Sequence, residues 1–200
     1  MTASTRHSAR ERILEQAFLL FLTRGFEATS MADIVHATGT SKGAVYHHFA
    51  SKEELFKAAL DRYFVDLVGT DRPVGRDAHG FEDAVRATAA TMVDSLAEIS
   101  SLGADLTAYY RFLFSAIDRH QPEVQAVLAG RLTALTQAAE RNANHGEVHT
   151  SLDPATLAEM AITTIEGAAL LAALEGPDRL DDLINRAVDQ FLALVRASKR

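Results

Sequence analysis

The stretch Thr29–Lys52, TSMADIVHATGTSKGAVYHHFASK, decides how the rest of the chain is read. It divides into two short helical segments around a tight turn. Met31 to Thr38 carries Ile34 and Val35 as apolar contacts. Ser30 is placed to cap its start, and Asp33, three residues on, completes a capping box. Gly39 stands where a helix ends in a left-handed residue, a conformation glycine adopts without steric cost. Ser41 is placed to cap a second helix from Lys42 to about His48. Only Ala44, Val45 and Phe49 are apolar there, so this helix gives little to a core and much to a partner. Two helices joined in this way form a helix-turn-helix, whose second helix enters the DNA major groove.

On the N-terminal side, Ser8 to Arg24 reads as a supporting helix, with Ser8 and Glu11 as another capping box. Ile13, Leu14, Ala17, Phe18, Phe21 and Leu22 recur at helical spacing, and Gly25 ends the helix with Phe26 placed to fold back on Phe21. Arg6, Arg10 and Arg12 suit either phosphate contact or a solvated tail. On the other side, Ser51 and Glu54 read as a third capping box, opening a fourth helix to about Gly69. Its apolar residues Leu55, Phe56, Ala59, Leu60, Tyr63, Phe64 and Leu67 lie on more than one side. One side therefore packs on the reader and the other on the helices later in the chain.

Beyond a loop at Thr70–Gly80, the pattern stays helical, and the four prolines fall where it already breaks. Phe81–Ser100 has Phe81, Val85, Thr88, Met92, Leu96 and Ile99 on one face. Asp105–His120 is richer in apolar residues, and Pro122 opens a separate helix to about Asn142. After a polar loop at Asn144–Leu152, Asp153-Pro154 starts a helix that Gly176-Pro177 stops, and Leu180–Ala197 closes the chain. No alternating run of strand length occurs. The expected fold is all-α with about nine helices.

Composition sets outer bounds. The chain has 200 residues and a formal net charge of −7, which argues against a protein that coats nucleic acid generally. The first fifty residues nevertheless hold five Lys/Arg (Arg6, Arg10, Arg12, Arg24, Lys42) against four acids, so the negative balance lies in the remainder. Cysteine is absent, which excludes disulfides, thiol catalysis and cysteine zinc sites. The longest unbroken apolar run, Ala168–Leu174, is too short to cross a bilayer, and no apolar signal segment opens the sequence. These features predict a cytoplasmic protein that does not contact membrane.

The run Thr29-Ser30, Asp33-Ile34-Val35, Ala37-Thr38-Gly39, Ser41-Lys42-Gly43-Ala44-Val45-Tyr46, His48-Phe49, Ser51-Lys52-Glu53-Glu54-Leu55 resembles the TetR (tetracycline-repressor-like) family of transcriptional regulators. The resemblance covers roughly the first third of the chain. It implies a DNA-binding domain over residues 7–67, with the reader at about 30–49, and a ligand-binding and dimerisation domain over 68–200. In that reading Thr29 and Ser30 start the first reader helix, where amides and hydroxyls suit phosphate. Ser41, Lys42, Gly43 and Ala44 open the recognition helix, with Lys42 reaching guanine or phosphate and Gly43 allowing close backbone approach. Tyr46 and His47 match the family's phosphate- and base-contacting positions, and Lys52 its phosphate-binding lysine. His47-His48 also read as incidental surface and turn residues. Adjacent helical side chains diverge by about 100°, which disfavours a metal.

The last two helices carry broad apolar stripes that suit either a core or a partner chain. The resemblance implies the second, a homodimer joined through Ala161, Ala168, Ala172, Leu180, Ile184, Val188, Phe191 and Val195 and bound to a palindromic double-stranded operator. Tyr63, Phe64, Leu67, Met92, Leu96, Tyr109, Tyr110, Leu113 and Ile117 gather aromatic and apolar groups on three helices. They suit either plain packing or a pocket for a mostly apolar or aromatic effector. Glu166 interrupts an apolar helix but shares helical spacing with Thr156, Glu159 and Thr163, which favours a polar edge over a ligand contact. No phosphate-cradling loop, nucleophile elbow or His-Glu-x-x-His is present, so neither an enzyme nor a bound cofactor is expected. The expected function is a repressor released from DNA by a small ligand. A regulator without a ligand and a small-molecule binder with a decayed head are the alternatives, and the intact Ser41-Lys42-Gly43 and Tyr46 argue against the last.

Overall fold

Each of the first four helices begins on a serine whose hydroxyl oxygen accepts a backbone N–H from three residues ahead. Ser8 takes that of Glu11 at 3.2 Å, Ser30 that of Asp33 at 3.1 Å, Ser41 that of Ala44 at 3.2 Å and Ser51 that of Glu54 at 3.1 Å. Such a cap contributes about 1 kcal/mol, which matters for helices this short. The boxes at Ser8/Glu11 and Ser30/Asp33 are complete. The one expected at Ser51 is not, because the Glu54 carboxylate accepts from the N–H of Ala50 at 2.7 Å, one residue outside the cap.

The structure is a computed structural model that describes residues 8–65, 80–143 and 152–196. Among the described residues it is all-α, with eight α-helices. These are α1 (Ala9–Arg24), α2 (Met31–Thr38), α3 (Lys42–His48), α4 (Lys52–Leu60), α5 (Phe81–Ser101), α6 (Leu106–Ala143), α7 (Pro154–Glu175) and α8 (Leu180–Arg196). A π-helical turn, Asp61–Val65, continues α4. The expected extension of that helix to Gly69 and most of the two expected loops lie outside the described residues.

The difference from nine helices is α6. Pro122 cannot donate an amide hydrogen and crowds the preceding turn, which predicts two helices. The break falls at His120 (φ −135°, ψ 43°), whose non-helical backbone separates two helices across a kink as expected, and both halves are kept under the one label α6.

Gly25 (φ 82°) and Gly39 (φ 62°) end α1 and α2 in backbone regions that favour glycine. Phe26 then returns onto Phe21, with ring centroids 5.7 Å apart. The aromatic core does not stop at the N-terminal helices. Phe112 of α6 meets Phe18 at 5.2 Å and Phe56 at 4.9 Å, while Arg111 donates to the carbonyl of Leu22 at 2.9 Å near the end of α1. The buried face of α5 is the expected one: Phe81, Val85, Thr88, Met92, Leu96 and Ile99.

The stripes of the last two helices face the chain's own core. Ala161, Ala168, Ala172, Leu180, Ile184, Val188, Phe191 and Val195 are each no more than 5% exposed in the single chain. The eight residues expected at a dimer interface are thus already used internally, since α7 and α8 pack on each other and on α5 and α6. The apolar residues left outside are Met160, Leu170, Leu171 and Leu174 on α7 and Leu194 on α8. By length and composition α7 is apolar enough to cross a bilayer, because interspersed Thr, Gly and Ala break a run without making the helix polar. Close to half of it is buried against neighbouring helices.

Candidate nucleic-acid interface and a cavity between two helices

In α3 only Val45 is buried, and the helix packs on α1 and α2. Ser41, Lys42, Gly43, Tyr46 and His47 are exposed, and Ala44 is half-buried. The Lys42 ammonium lies 5.6 Å from the centre of the Tyr46 ring, so a cation and a phenol share one outward patch. The His47 and His48 rings adjoin at 5.2 Å. A Cβ on Gly43 would meet nothing of this chain nearer than Ser41 Oγ at 4.0 Å. Internal packing therefore does not require glycine at 43, whereas close approach by an outside surface would. Arg10, from α1, sits 4.9 Å over the Phe49 ring and adds a second cation near the end of α3.

Two expected contact residues are engaged within the chain. Thr29 is 1% exposed, and its hydroxyl donates to the carbonyls of Gly25 at 2.8 Å and Leu20 at 3.3 Å. It pins the turn after α1 and has no free surface for a phosphate. The Lys52 ammonium donates to the Phe26 carbonyl at 2.8 Å and lies 4.1 Å over the Phe26 ring, so it ties α4 to the α1–α2 corner. Ser30 is exposed but occupied, its hydroxyl donating to Asp33 at 2.5 Å. That bond, with the Ser30 amide, holds the Asp33 carboxyl below the usual carboxylate range.

Of the nine residues expected around one pocket, the seven whose side chains are described do not share one. Tyr109, Tyr110, Leu113 and Ile117 line a cavity of about 490 Å³ between α6 and α7. Its wall is completed by Val124, Val127, Leu128 and Arg131 of α6 and by Ile162, Thr163, Glu166, Gly167 and Leu170 of α7. Met92 and Leu96 are fully buried core residues of α5. Tyr63 stacks on Phe18 at 4.0 Å and lines a separate, more polar hollow with Arg10, Glu11, Glu15, Arg62 and Glu98. Leu67 lies outside the described residues, as does the side chain of Phe64.

The cavity holds a buried charge that the spacing of its helix did not mark. Arg131 is 7% exposed and donates to Glu166 at 3.2 Å. Burial pushes the Glu166 carboxyl above its ordinary range, against the pull of Arg131. Burial likewise pushes both tyrosines up, with Glu166 adding to the shift, so their hydroxyls stay protonated. The Tyr110 hydroxyl oxygen is buried and has no hydrogen-bond partner among the described residues.

A helix that buries one side chain and turns the rest outward contributes almost nothing to the fold that carries it, and on this support it marks the helix-turn-helix class. Residues 13–59 match the family model of bacterial regulatory proteins, tetR family. That match places residues 13–59 in the N-terminal domain of the TetR family.

Among curated relatives, the HTH-type transcriptional repressor ComR of Escherichia coli (strain K12) is 50% identical over 54 residues, 27% of this chain and 26% of ComR. The HTH-type transcriptional repressor KstR2 of Rhodococcus jostii (strain RHA1) is 34% identical over 95 residues, 46% of this chain and 47% of KstR2. The chain therefore spans about a quarter and about half of these two relatives. Over nearly the whole chain the fold resembles SmeT, solved as a SmeT–triclosan complex, with a TM-score of 0.69 at 24% identity, covering 96% of this chain and 94% of SmeT. SmeT is the repressor of the Stenotrophomonas maltophilia multidrug efflux pump SmeDEF.

Proposed function

We propose that this protein is a cytoplasmic, homodimeric transcriptional repressor that binds a palindromic DNA operator and leaves it when a small, mostly apolar or aromatic molecule fills the α6–α7 cavity. One observation carries the reading: α3 spends only Val45 on the core and presents Lys42, Gly43, Tyr46 and His47 outward. Residues 7–67 serve as the DNA-binding domain and 68–200 as the effector and dimerisation domain. Ser41, Lys42, Gly43, Ala44, Tyr46 and His47 meet the major groove, with Ser30 and the remaining N–H groups of Lys52 near phosphates. Two such heads related by a two-fold axis read half-sites about 34–36 Å apart. The dimer forms through the outward stripe of Met160, Gly167, Leu171 and Leu174 on α7 with Leu194 on α8. These residues remain exposed after the chain has buried its own core. The names of ComR and KstR2 support repression, and the triclosan complex of SmeT supports an effector site in this fold.

Sequencing genomic fragments retained by the purified protein tests the assignment. The expected result is enrichment of one inverted repeat with half-sites one helical turn apart. Recovery of fragments in proportion to the input would refute it.

A further inference from the structure

The α6–α7 cavity is mostly hydrocarbon, with Leu113, Ile117, Val124, Val127, Leu128 and Ile162 in its wall, and it has one polar end. There Arg131 faces Glu166 at 3.2 Å, and Tyr109 and Tyr110 stand beside them. The two charges are not equivalent partners for an incoming molecule. A guanidinium stays charged at any working pH, whereas a carboxyl can discharge by taking up a proton. The site can therefore make itself net positive, by protonating Glu166, but cannot make itself net negative. A cation entering beside Arg131 meets a guanidinium that cannot discharge to make room for it. An anion meets the fixed guanidinium fork, which matches carboxylate geometry, and the Tyr110 hydroxyl, which has no partner among the described residues.

We propose that the effector is an amphipathic monocarboxylic acid whose carboxylate displaces Glu166 from Arg131 and accepts the Tyr110 hydroxyl, while its hydrocarbon body fills the Leu113–Ile162 side of the cavity. This rests on the reading of the cavity as the effector site. Displaced next to a second carboxylate, Glu166 binds one proton, a change that its raised proton affinity already favours. The titratable and charged groups facing it are Arg131, Tyr109 and Tyr110, and neither tyrosine ionises, so the proton goes to Glu166. Binding then strengthens as pH falls, by up to about tenfold per pH unit wherever Glu166 is ionised in the free protein and protonated in the complex.

The test is isothermal titration calorimetry of the full chain with decanoate, decanol and decylammonium, each in two buffers of different ionisation enthalpy. Decanoate is expected to bind about ten- to a hundredfold more tightly than decanol and to take up close to one proton. Arg131→Met should erase the preference for decanoate over decanol. Should that variant fail to fold, Glu166→Gln serves instead, retaining decanoate binding without proton uptake. Tightest binding of decylammonium, or equal binding of all three probes, overturns the carboxylate assignment and leaves the cavity standing as an apolar site. Binding of none overturns the effector site as well, because decanol fills the hydrocarbon side whatever the charge at its end.

Discussion

Replacing Arg119 with methionine should loosen the seat of the DNA-reading helices on the body, by an amount its contacts fix. Arg119 lies on α6, and its guanidinium donates to Glu53 at 3.1 Å and to Glu27. It also covers the Phe26 ring at 3.8 Å. It thereby clamps the α1–α2 corner and the start of α4 to one point of the body. Glu27 and Glu53 are largely exposed, so each ion pair contributes no more than about 0.2–1 kcal/mol. The ring contact, on a partly buried guanidinium, adds about 1–2 kcal/mol. Against these stands the buried Arg119 Nε, which has no hydrogen-bond partner among the described residues and costs about 1 kcal/mol or more. Methionine keeps most of the stem and removes both the gains and that cost. The expected net loss is about 1–2 kcal/mol, read by urea denaturation with far-ultraviolet circular dichroism at one fixed protein concentration. A variant as stable as the parent, or more stable, would refute the reasoning by showing that the orphaned N–H outweighs the clamp.

Lys42→Ala should weaken operator binding by about 1–3 kcal/mol at a single base position, while Lys52→Ala should lower both operator affinity and thermal stability because it frees the Phe26 carbonyl. Gel-shift titrations on operator variants, paired with melting curves, separate the two. Thr29→Val should cost about 1 kcal/mol in stability and leave DNA affinity of the folded protein unchanged; a loss of affinity at equal helicity would return Thr29 to the interface. Leu171→Arg should give folded monomers in sedimentation, since Leu171 is 51% exposed, whereas Ala172→Arg, at a site with no exposure, should unfold the chain. Folded dimers from Leu171→Arg would move the interface off α7.

What the sequence made legible is what local chemistry decides. Ser8, Ser30, Ser41 and Ser51 cap because a hydroxyl three residues before a free N–H needs no help from distant parts of the chain. The outward face of α3 was legible for a similar reason, since a helix with so few apolar residues has nothing to bury. The internal contacts of Thr29 and Lys52 were not legible, because their hydrogen-bond acceptors are the carbonyls of Gly25, Leu20 and Phe26, and only the folded corner brings those near. The burial of the expected dimer stripe within the chain was hidden for a different reason. An apolar face looks the same in sequence whether it meets its own chain or another, and α7 is apolar on both sides. Arg131 did leave a signal: one arginine among Val127, Leu128, Leu132 and Leu135, facing a helix in which Glu166 lies between apolar residues. Opposite charges on two apolar faces are best satisfied by each other.

The placement of the cavity also changes which helix joins effector to operator. The sequence pointed to the fourth helix, through Tyr63, but Tyr63 stacks on Phe18 and lines a different hollow. The cavity residues Tyr109, Tyr110, Leu113 and Ile117 interleave on α6 with Arg111, Phe112 and Arg119, which grip α1, the Phe56 ring and the α1–α2 corner. One stretch of helix thus has the cavity on one side and the head on the other, and it ends at the His120 kink, where the imidazole lies against Phe56 at 5.8 Å. A ligand shifts the head only as far as its affinity differs between two arrangements of that stretch. On the proposed function, the coupling therefore depends on the rigidity of residues 106–119 and on their grip, more than on anything the reader helices do themselves.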